Sequence, residues 1–446
     1  MANRTGKAVR KYLQHYSEPN SDCLLPLQPH LGVIDQAVVI PAFKESAQCV
    51  ERMLDLPSFG NTLTILVLNG PETLSESEKR DTLRPLHFLQ QATQPVAMAE
   101  PGLWLFKAPL FKAPNTKQSE SGHQVLCVDL IQQRPWQQFG VGFARKLGMD
   151  MALWLYHNGI LQHPMVRSSD ADVIWPAHYL QPLHTTSSTS AVIYPFQHGL
   201  VENDVQSNAA AIYDAWLRYY VEGLAWAGSP WAFHTIGSIL AIHLEHYANN
   251  RGFPKREAGE DFYLLNKLAK TGTVTTLHQP RLTLSNRASN RTPFGTGISI
   301  HKMQTTSLEA WPFYHPAIFE QLRLWYQHKP EHFGKTTLRL PEAASPLAEG
   351  LKALGLEKQL MHCIKNQCNE TQFQTQMNNK LDAANTRKLV HWLRDNAFAS
   401  INYNELITQI NQQSVPFLKP EHTLNGPWDL AHFLYEQQMK SVDIQH

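Results

Sequence analysis

Two carboxylates flank one small residue in the segment Asp170-Ala-Asp172, and their types and spacing are compatible with metal chemistry. Val173 and Ile174 follow, so the segment predicts acidic groups at the tip of a strand. Such a pair can bind a hard divalent cation through its oxygens and leave open positions for the phosphates of a substrate. Asp-x-Asp also recurs by chance in turns, where both side chains are solvated caps. The surrounding sequence must decide between a metal site and a turn.

A second acidic pair, Glu260-Asp261, lies where a loop becomes an amphipathic helix. The helix macrodipole favours carboxylates in a first turn, so capping alone explains the pair. A carboxylate in this position can also accept the proton of an attacking hydroxyl group. The pair is therefore a candidate for a general base.

The elements that must position these residues alternate between strand and helix. Apolar runs of strand length occur at residues 36–41, 63–68, 125–131 and 190–194, and helical patterns separate them. Strand, helix, strand in this order predicts parallel strands and an open α/β sheet. Ligands of such sheets lie outside the carboxyl ends of the strands. The residues expected to converge there are Pro41, Ala42, Asn69, Arg145, Asp170 and Asp172.

Composition limits the function classes. A hydrophobic content of 43% and a charged content of 17% are typical of a globular protein. A net charge of +1 argues against a nucleic-acid partner and against a polybasic membrane anchor. Five cysteines fit reduced thiols better than a disulfide framework. With no signal-peptide pattern and no apolar run long enough for a transmembrane segment, we expect a soluble, cytoplasmic protein.

Four segments, taken in order, resemble the signatures of GT-A-fold glycosyltransferases, particularly family 2. They are Val38-Val-Ile-Pro-Ala-Phe-Lys-Glu45, Gly142-Phe-Ala-Arg145-Lys-Leu-Gly148, Asp170-Ala-Asp172 and Gly259-Glu-Asp261. The resemblance implies a GT-A (Rossmann-like) open mixed sheet flanked by helices. It covers a glycosyltransferase domain at about residues 33–305. A polar N-terminal extension (1–32) precedes this domain, and helical patterns predict a mainly α-helical C-terminal region (306–446).

The resemblance also implies how the donor is held. A nucleotide-sugar would contact residues at several strand ends, with Asp170 on ribose or sugar and Arg145 near the diphosphate. A surface salt bridge is the alternative for Arg145. Arg287 and Arg291 lie in the loop 285–297, which could bind the diphosphate in place of a family element, although a solvated loop is the slightly favoured explanation. The implied donor-binding residues are Pro41, Ala42, Glu45, Asn69, Arg145, Asp170, Arg287 and Arg291.

Metal and catalytic roles follow from the same resemblance. Asp172 is the favoured ligand of Mg²⁺ or Mn²⁺, with Asp170 as its partner. His301 is the best-placed third ligand by sequence order, although a lone histidine is more often structural. Asp261 matches the acceptor-activating base, with Glu260 beside it.

The chain departs from the family pattern at two positions. Asn69-Gly-Pro71 stands where the family has an acidic turn, and Lys146 stands where it has asparagine. An amide both donates and accepts hydrogen bonds, so Asn69 keeps the capacity for a base contact. The Gln-x-x-Arg-Trp element of processive members is not visible, which argues against polymer synthesis.

The expected function is that of an inverting, metal-dependent glycosyltransferase acting on an acceptor hydroxyl. Two alternatives stay open. One is a GT-A-like nucleotidyltransferase, although Pro41-Ala-Phe-Lys-Glu45 is not the Gly-rich basic loop that such an enzyme usually carries. The other is a catalytically inactive nucleotide-sugar-binding module. The sugar, the base, the acceptor and the oligomeric state are not specified by the sequence.

Overall fold

The computed structural model describes residues 2–18, 21–99, 102–107, 122–132, 140–199, 205–256, 258–289, 295–366 and 369–443. The chain divides into two compact units. The first consists mainly of Met1–Gln197 and Thr235–Ser285, and the second mainly of His198–His234 and Thr296–His446. Each unit draws on separate stretches of the chain. The sequence-based boundaries after residues 32 and 305 stay a prediction.

A mixed sheet is the centre of the first unit, and helices flank it, which confirms the predicted α/β class. Within the described residues it has nine strands in the order β10-β7-β9-β6-β1-β2-β5-β4-β3. They are β1 (Gln36–Ala42), β2 (Thr62–Leu68), β3 (Ala97–Ala99), β4 (Leu103–Lys107), β5 (His123–Asp129), β6 (Met165–Ser168), β7 (Thr189–Ile193), β9 (Leu240–His243) and β10 (Thr273–Thr276). A two-stranded sheet joins β8 (Phe196–His198) to β11 (Leu282–Leu284).

The helices of the first unit connect and cover these strands. They are α1 (Ala2–His15), α2 (Gln28–Leu31), α3 (Gln48–Leu54), α4 (Glu76–Ala92), α5 (Val141–His157), α7 (Leu244–Asn249) and α8 (Glu260–Leu268). All seven residues of β2 are buried. A parallel strand that is covered on both faces has an almost unbroken apolar sequence. This is why β1 and β2 could be predicted from the sequence.

Strand order reverses beside β1. The chain runs from β1 to β2 and β5 on one side, and then crosses through α5 to β6 on the other side of β1. Both neighbours of β1 are parallel to it. The carboxyl edge at such a reversal is where open α/β sheets bind ligands. Pro41 and Ala42 end β1 at this edge, and Ser169 follows β6 there.

The N-terminal extension contains a helix, α1, that is anchored to the first unit. Tyr12 of α1 is buried and donates to Asp150 Oδ1 at 2.7 Å. Lys146 Nζ donates to Tyr12 Oη, to the Tyr16 carbonyl oxygen and to Asp150 Oδ2, each at 2.7 Å. Tyr247 donates to Asp150 Oδ1 at 2.8 Å. Lys146, one of the departures from the family pattern, therefore attaches α1 to α5.

We expect Lys146→Met to destabilise the first unit by about 3–5 kcal/mol, because it leaves the buried Asp150 carboxylate without its cation. Urea unfolding followed by circular dichroism measures this change. The matched control is Lys11→Met on the exposed face of α1, for which the change should be below about 0.5 kcal/mol. A similar small loss for Lys146→Met would mean that the ion pair does not hold α1.

The described helices of the second unit share one apolar core. They are α6 (Val205–Ala227), α9 (Thr296–Thr305), α10 (Pro316–His328), α11 (Ser345–Ala353), α12 (Leu356–Lys365), α13 (Glu370–Lys380), α14 (Ala383–Asn396), α15 (Tyr403–Asn411) and α16 (Pro427–Asp443). Helix α10 lies close to α6 because Gly223 has no side chain. A Cβ there would be 2.5 Å from the Phe319 ring. Within the described ranges, no helix combines the length and apolar character needed to cross a bilayer.

Candidate active site

The Asp170–Asp172 segment forms a turn directly after β6, at the edge where strand order reverses. Ser168 and Ser169 are buried, whereas the Asp170 side chain is 38% exposed and Asp172 is half-buried. The amide of Val173 donates to the Asp170 carbonyl oxygen at 3.2 Å and closes the turn. The turn and the metal-site interpretations are therefore compatible, since the turn presents both carboxylates at the sheet edge.

Arg145 is buried in the first half of α5, with 3% of its side chain exposed. It is therefore not the surface residue of the alternative interpretation. Its Nε donates to Glu260 Oε1 at 2.9 Å, and its Nη2 donates to Asp170 Oδ1 at 2.6 Å. Its Nη1 donates to Ser168 Oγ at 2.7 Å and to the Ser169 carbonyl oxygen at 3.2 Å. One guanidinium group thus links the end of β6 to the start of α8.

Two glycines bring α5 close enough for this contact. A Cβ on Gly148 would lie 2.4 Å from Val39 Cγ1, so the missing side chain lets α5 pack directly on β1. A Cβ on Gly142 would lie 2.5 Å from the Arg256 carbonyl oxygen. Substitution at either position would push the helix away from its neighbours and move Arg145 with it.

The second acidic pair begins α8, as the sequence predicted. Glu260 is 3% exposed and its carboxylate is bound to Arg145, so in this arrangement it is the charge partner of that arginine. Asp261 is half-buried and accepts the backbone N–H of Phe262 at 2.7 Å and the backbone N–H of Gly237. Burial and the neighbouring Glu260 charge raise the pKa of Asp261 to about 7. The catalytic assignments of both residues stay predictions.

Gly237 is a site residue that the sequence did not reveal. It opens the 3₁₀ turn Gly237–Ile239 before β9, and its amide donates to Asp261. A Cβ there would lie 2.7 Å from Arg145 Nη2, so the guanidinium occupies the space that a side chain would need. The only sequence signal was a glycine directly before a buried apolar run.

We expect Gly237→Ala to destabilise the protein by about 1–3 kcal/mol, because the new methyl group displaces the Arg145 guanidinium from its acceptors. Chemical denaturation measures the loss. Gly6→Ala is the matched control, since no atom lies within 4 Å of a Cβ at that position. Equal unfolding free energies for Gly237→Ala and the unaltered protein would show that the guanidinium can move without cost.

Two buried acceptors lie at the carboxyl ends of β2 and β5. Asn69 follows β2, and its Nδ2 donates to the Gly140 carbonyl oxygen at 2.9 Å. Asp129 ends β5, and its Oδ1 accepts the amides of Ile131 and Gln132. The other side-chain oxygen of each, Asn69 Oδ1 and Asp129 Oδ2, is buried without a hydrogen-bond partner among the described residues. Buried acceptors are normally satisfied, so both oxygens are candidates for a ligand with N–H or O–H donors.

The remaining first-strand residues lie near the same edge. Pro41 is half-buried, Ala42 is buried and accepts the Asn69 amide through its carbonyl oxygen at 3.0 Å, and Glu45 is 9% exposed. Burial raises the pKa of Cys49, and the charges of Glu45 and Asp172 raise it further, so the start of α3 lies near the aspartate turn.

Arg52 of α3 also contacts the aspartate turn. Its Nη2 donates to the Ala171 carbonyl oxygen at 3.1 Å, between the two aspartates. No sequence pattern indicated this contact, because an arginine on an amphipathic helix is ordinarily a solvated residue. Arg52 thus fixes the backbone of the segment from which Asp170 and Asp172 project.

Three other residues predicted for the site do not belong to the described part of the first unit. Arg287 and His301 belong to the second unit, and Arg291 lies outside the described residues. Trp175, which follows the aspartate turn, is 7% exposed and donates to Ser169 Oγ at 2.8 Å, so it packs in the core. Among the described residues, no group of three or more His, Cys, Asp and Glu side chains could hold a metal ion by itself.

No protein-family model matches the chain, and no curated protein sequence matches it significantly. The functional assignment therefore depends on the side-chain geometry and on the sequence resemblance.

Proposed function

We propose that this chain is an inverting glycosyltransferase with a GT-A-type fold that transfers a sugar from a nucleotide-sugar to an acceptor hydroxyl, using Mg²⁺ or Mn²⁺. One observation carries the proposal. The Arg145 guanidinium contacts Asp170, on the predicted metal-binding turn, and Glu260, next to the predicted base. Residues separated by more than a hundred positions thereby form one charged cluster at the edge of the sheet where ligands bind.

The carboxylates of the turn suit a hard divalent cation. Asp170 Oδ1 accepts from Arg145, and its Oδ2 forms no hydrogen bond to the described residues. Together with Asp172 it offers oxygen ligands, the type that Mg²⁺ and Mn²⁺ prefer. Since such ions take most of their other ligands from substrate phosphates and water, two carboxylates are sufficient protein ligands. A bound cation supplies positive charge to the departing diphosphate.

The two unpartnered acceptors suit the nucleotide half of the donor. Asn69 Oδ1 and Asp129 Oδ2 are acceptors at adjacent strand ends, since Leu68 and Asp129 are register partners. Nucleobases and ribose carry N–H and O–H donors that satisfy such acceptors. Because these two side-chain oxygens are buried, they make binding selective: a ligand without N–H or O–H donors would leave them unpaired.

Asp261 acts as the general base of the proposed reaction. The acceptor oxygen attacks the anomeric carbon from the face opposite the diphosphate, and its proton passes to the Asp261 carboxylate. The bond between the anomeric carbon and the phosphate oxygen breaks, and its electron pair leaves with the nucleoside diphosphate. A single displacement of this kind inverts the anomeric configuration. The Gly237 and Phe262 amides orient the Asp261 carboxylate throughout.

The test is a screen of common nucleotide-sugars with Mn²⁺ or Mg²⁺, in which release of nucleoside diphosphate is measured. We expect metal-dependent release from at least one donor. Asp172→Asn should reduce it by about 10²-fold or more, because the cation loses an anionic ligand. Asp81→Asn, a solvent-facing carboxylate paired with Arg84, is the matched control and should retain full activity.

Other outcomes would identify the alternatives. Release of pyrophosphate from a nucleoside triphosphate would indicate a nucleotidyltransferase. Donor binding without any release, unchanged by Asp261→Asn, would indicate an inactive binding module. No metal-dependent release from any common donor would contradict the proposal.

A further inference from the structure

A cavity lies at the edge of the sheet where the parallel strands begin, opposite the edge that carries the Asp170–Asp172 turn. Its volume is about 320 Å³, which is within the range of small-molecule sites. Gln36 of β1 and Met165 of β6 line it at the amino ends of their strands. His243 lines it from the end of β9, which runs antiparallel to β6. Residues 185–187 of the loop before β7 form part of its wall.

The lining contains a buried cation. Arg167 of β6 is 1% exposed, and it donates to Tyr194 Oη through Nε, to Gln36 Oε1 through Nη1 and to the Gln181 carbonyl oxygen through Nη2. All three acceptors are uncharged, and no carboxylate among the described residues forms an ion pair with it. A buried charge without a counter-ion is costly, so an anion beside it stabilises the protein.

The Arg167 guanidinium group also has N–H groups that can donate hydrogen bonds to such an anion. Each terminal nitrogen of Arg167 carries two N–H groups and uses one of them in the contacts to Gln36 and Gln181. The second N–H on each nitrogen has no acceptor among the described residues, and guanidinium N–H groups are good donors to carboxylate and phosphate oxygens.

The other polar lining residues favour hydroxyl groups on the same ligand. Asp35 is half-buried, and one of its oxygens, Oδ2, accepts the Asn61 amide at 2.7 Å. Its carboxylate can accept from a ligand hydroxyl, whereas it would repel a second anionic group. Thr185, Thr186 and Ser187 add hydroxyls that both donate and accept. An exposed aromatic ring, Phe59, provides an apolar face for carbon atoms.

We propose that this cavity binds a small hydroxylated anion, a molecule with one phosphate or carboxylate group and at least one hydroxyl. The ligand's anionic group pairs with Arg167 and its hydroxyls pair with Asp35 and the 185–187 loop. The site lies at the opposite edge of the sheet from the Asp170–Asp172 turn, and it stands whether or not the chain transfers a sugar.

Calorimetric titration of the full chain tests this site with three probes: glycerol 3-phosphate, glycerate and uncharged glycerol. The buffer contains EDTA, so that phosphate cannot bind through a metal at the aspartate turn. We expect one saturable site for at least one of the two anions at up to millimolar concentrations, and binding of glycerol at least tenfold weaker.

Two tryptophan substitutions in the same exposed loop distinguish this site from non-specific binding. Thr185→Trp fills the cavity and should weaken anion binding at least tenfold, whereas His184→Trp, which is not in the lining, should leave it unchanged. Asp172→Asn should also leave it unchanged. Anion binding that survives Thr185→Trp would overturn the proposal. So would equal affinity for glycerol, or no binding of either anion to the unaltered protein.

Discussion

Asp261→Asn is expected to lower the turnover number of sugar transfer by about 10²–10⁴-fold while changing the KM for the donor little. The amide has the shape of the carboxylate and still accepts the Gly237 and Phe262 amides, but it cannot take the acceptor proton. Initial rates of nucleotide release with saturating acceptor measure the effect. Full activity in this variant would exclude Asp261 as the base.

The rate should also depend on pH through the same residue. Because burial and Glu260 raise the pKa of Asp261 to about 7, the rate is expected to rise with pH and to level off above that value. Glu260→Gln removes one of the two causes and keeps an oxygen for Arg145 Nε. The acid limb should therefore move to lower pH. An unmoved limb in Glu260→Gln would show that Glu260 does not act on the base.

The contribution of Asp261 to the free energy of unfolding should fall as the pH rises, whereas the reaction rate should increase. A carboxyl group whose pKa is higher in the folded than in the unfolded chain favours folding below its unfolded pKa, near 4, and this contribution is lost as the pH rises to about 7. Asp261→Asn should therefore stabilise the protein at pH 8 by about 3–4 kcal/mol relative to its effect at pH 4, since each pKa unit corresponds to about 1.4 kcal/mol. Chemical unfolding at both pH values measures the difference. A pH-independent effect would mean that Asp261 ionises in the folded protein as it does in the unfolded chain.

Strands buried on both faces could be predicted from the sequence, and the shorter polar strand could not. The run from Val38 to Ile40 and the run in β2 are apolar throughout, because helices cover both sides of the sheet. Strand β6 contains Arg167 and Ser168, and neither position favours a strand by composition. Tyr194, Gln36 and the Gln181 carbonyl group satisfy the arginine, and these partners are distant in sequence.

The candidate site was predictable in its residue types but not in its contacts. Asp170, Asp172 and Asp261 were identified from short motifs, and their functional roles stay predictions. The sequence placed Arg145 near phosphates, whereas the structure surrounds it with protein acceptors from β6 and α8. Pairing of Arg145 with Glu260 joins positions 115 residues apart, and only tertiary structure defines such a contact. Gly237 had no motif, since its role is the absence of a side chain beside Arg145.

Arg145→Met is expected to destabilise the first unit by about 3–5 kcal/mol and to abolish transfer, since the Glu260 carboxylate would remain buried without a cation. Asp170 would also lose the contact that fixes its position on the turn. Urea unfolding measures the stability loss. Arg84→Met is the matched control, because its ion pair with Asp81 is exposed and should contribute less than about 1 kcal/mol.

The double variant Arg145→Met/Glu260→Gln distinguishes the charge effect from lost packing. If unpaired charge causes the instability, the second substitution should restore a large part of the unfolding free energy, because a neutral amide costs less to bury than a carboxylate. Activity should stay low, since Asp170 still lacks the guanidinium that fixes its position on the turn. Equal stability of the single and double variants would assign the loss to packing. Recovery of stability together with activity would mean that Arg145 serves folding alone and has no part in positioning the site.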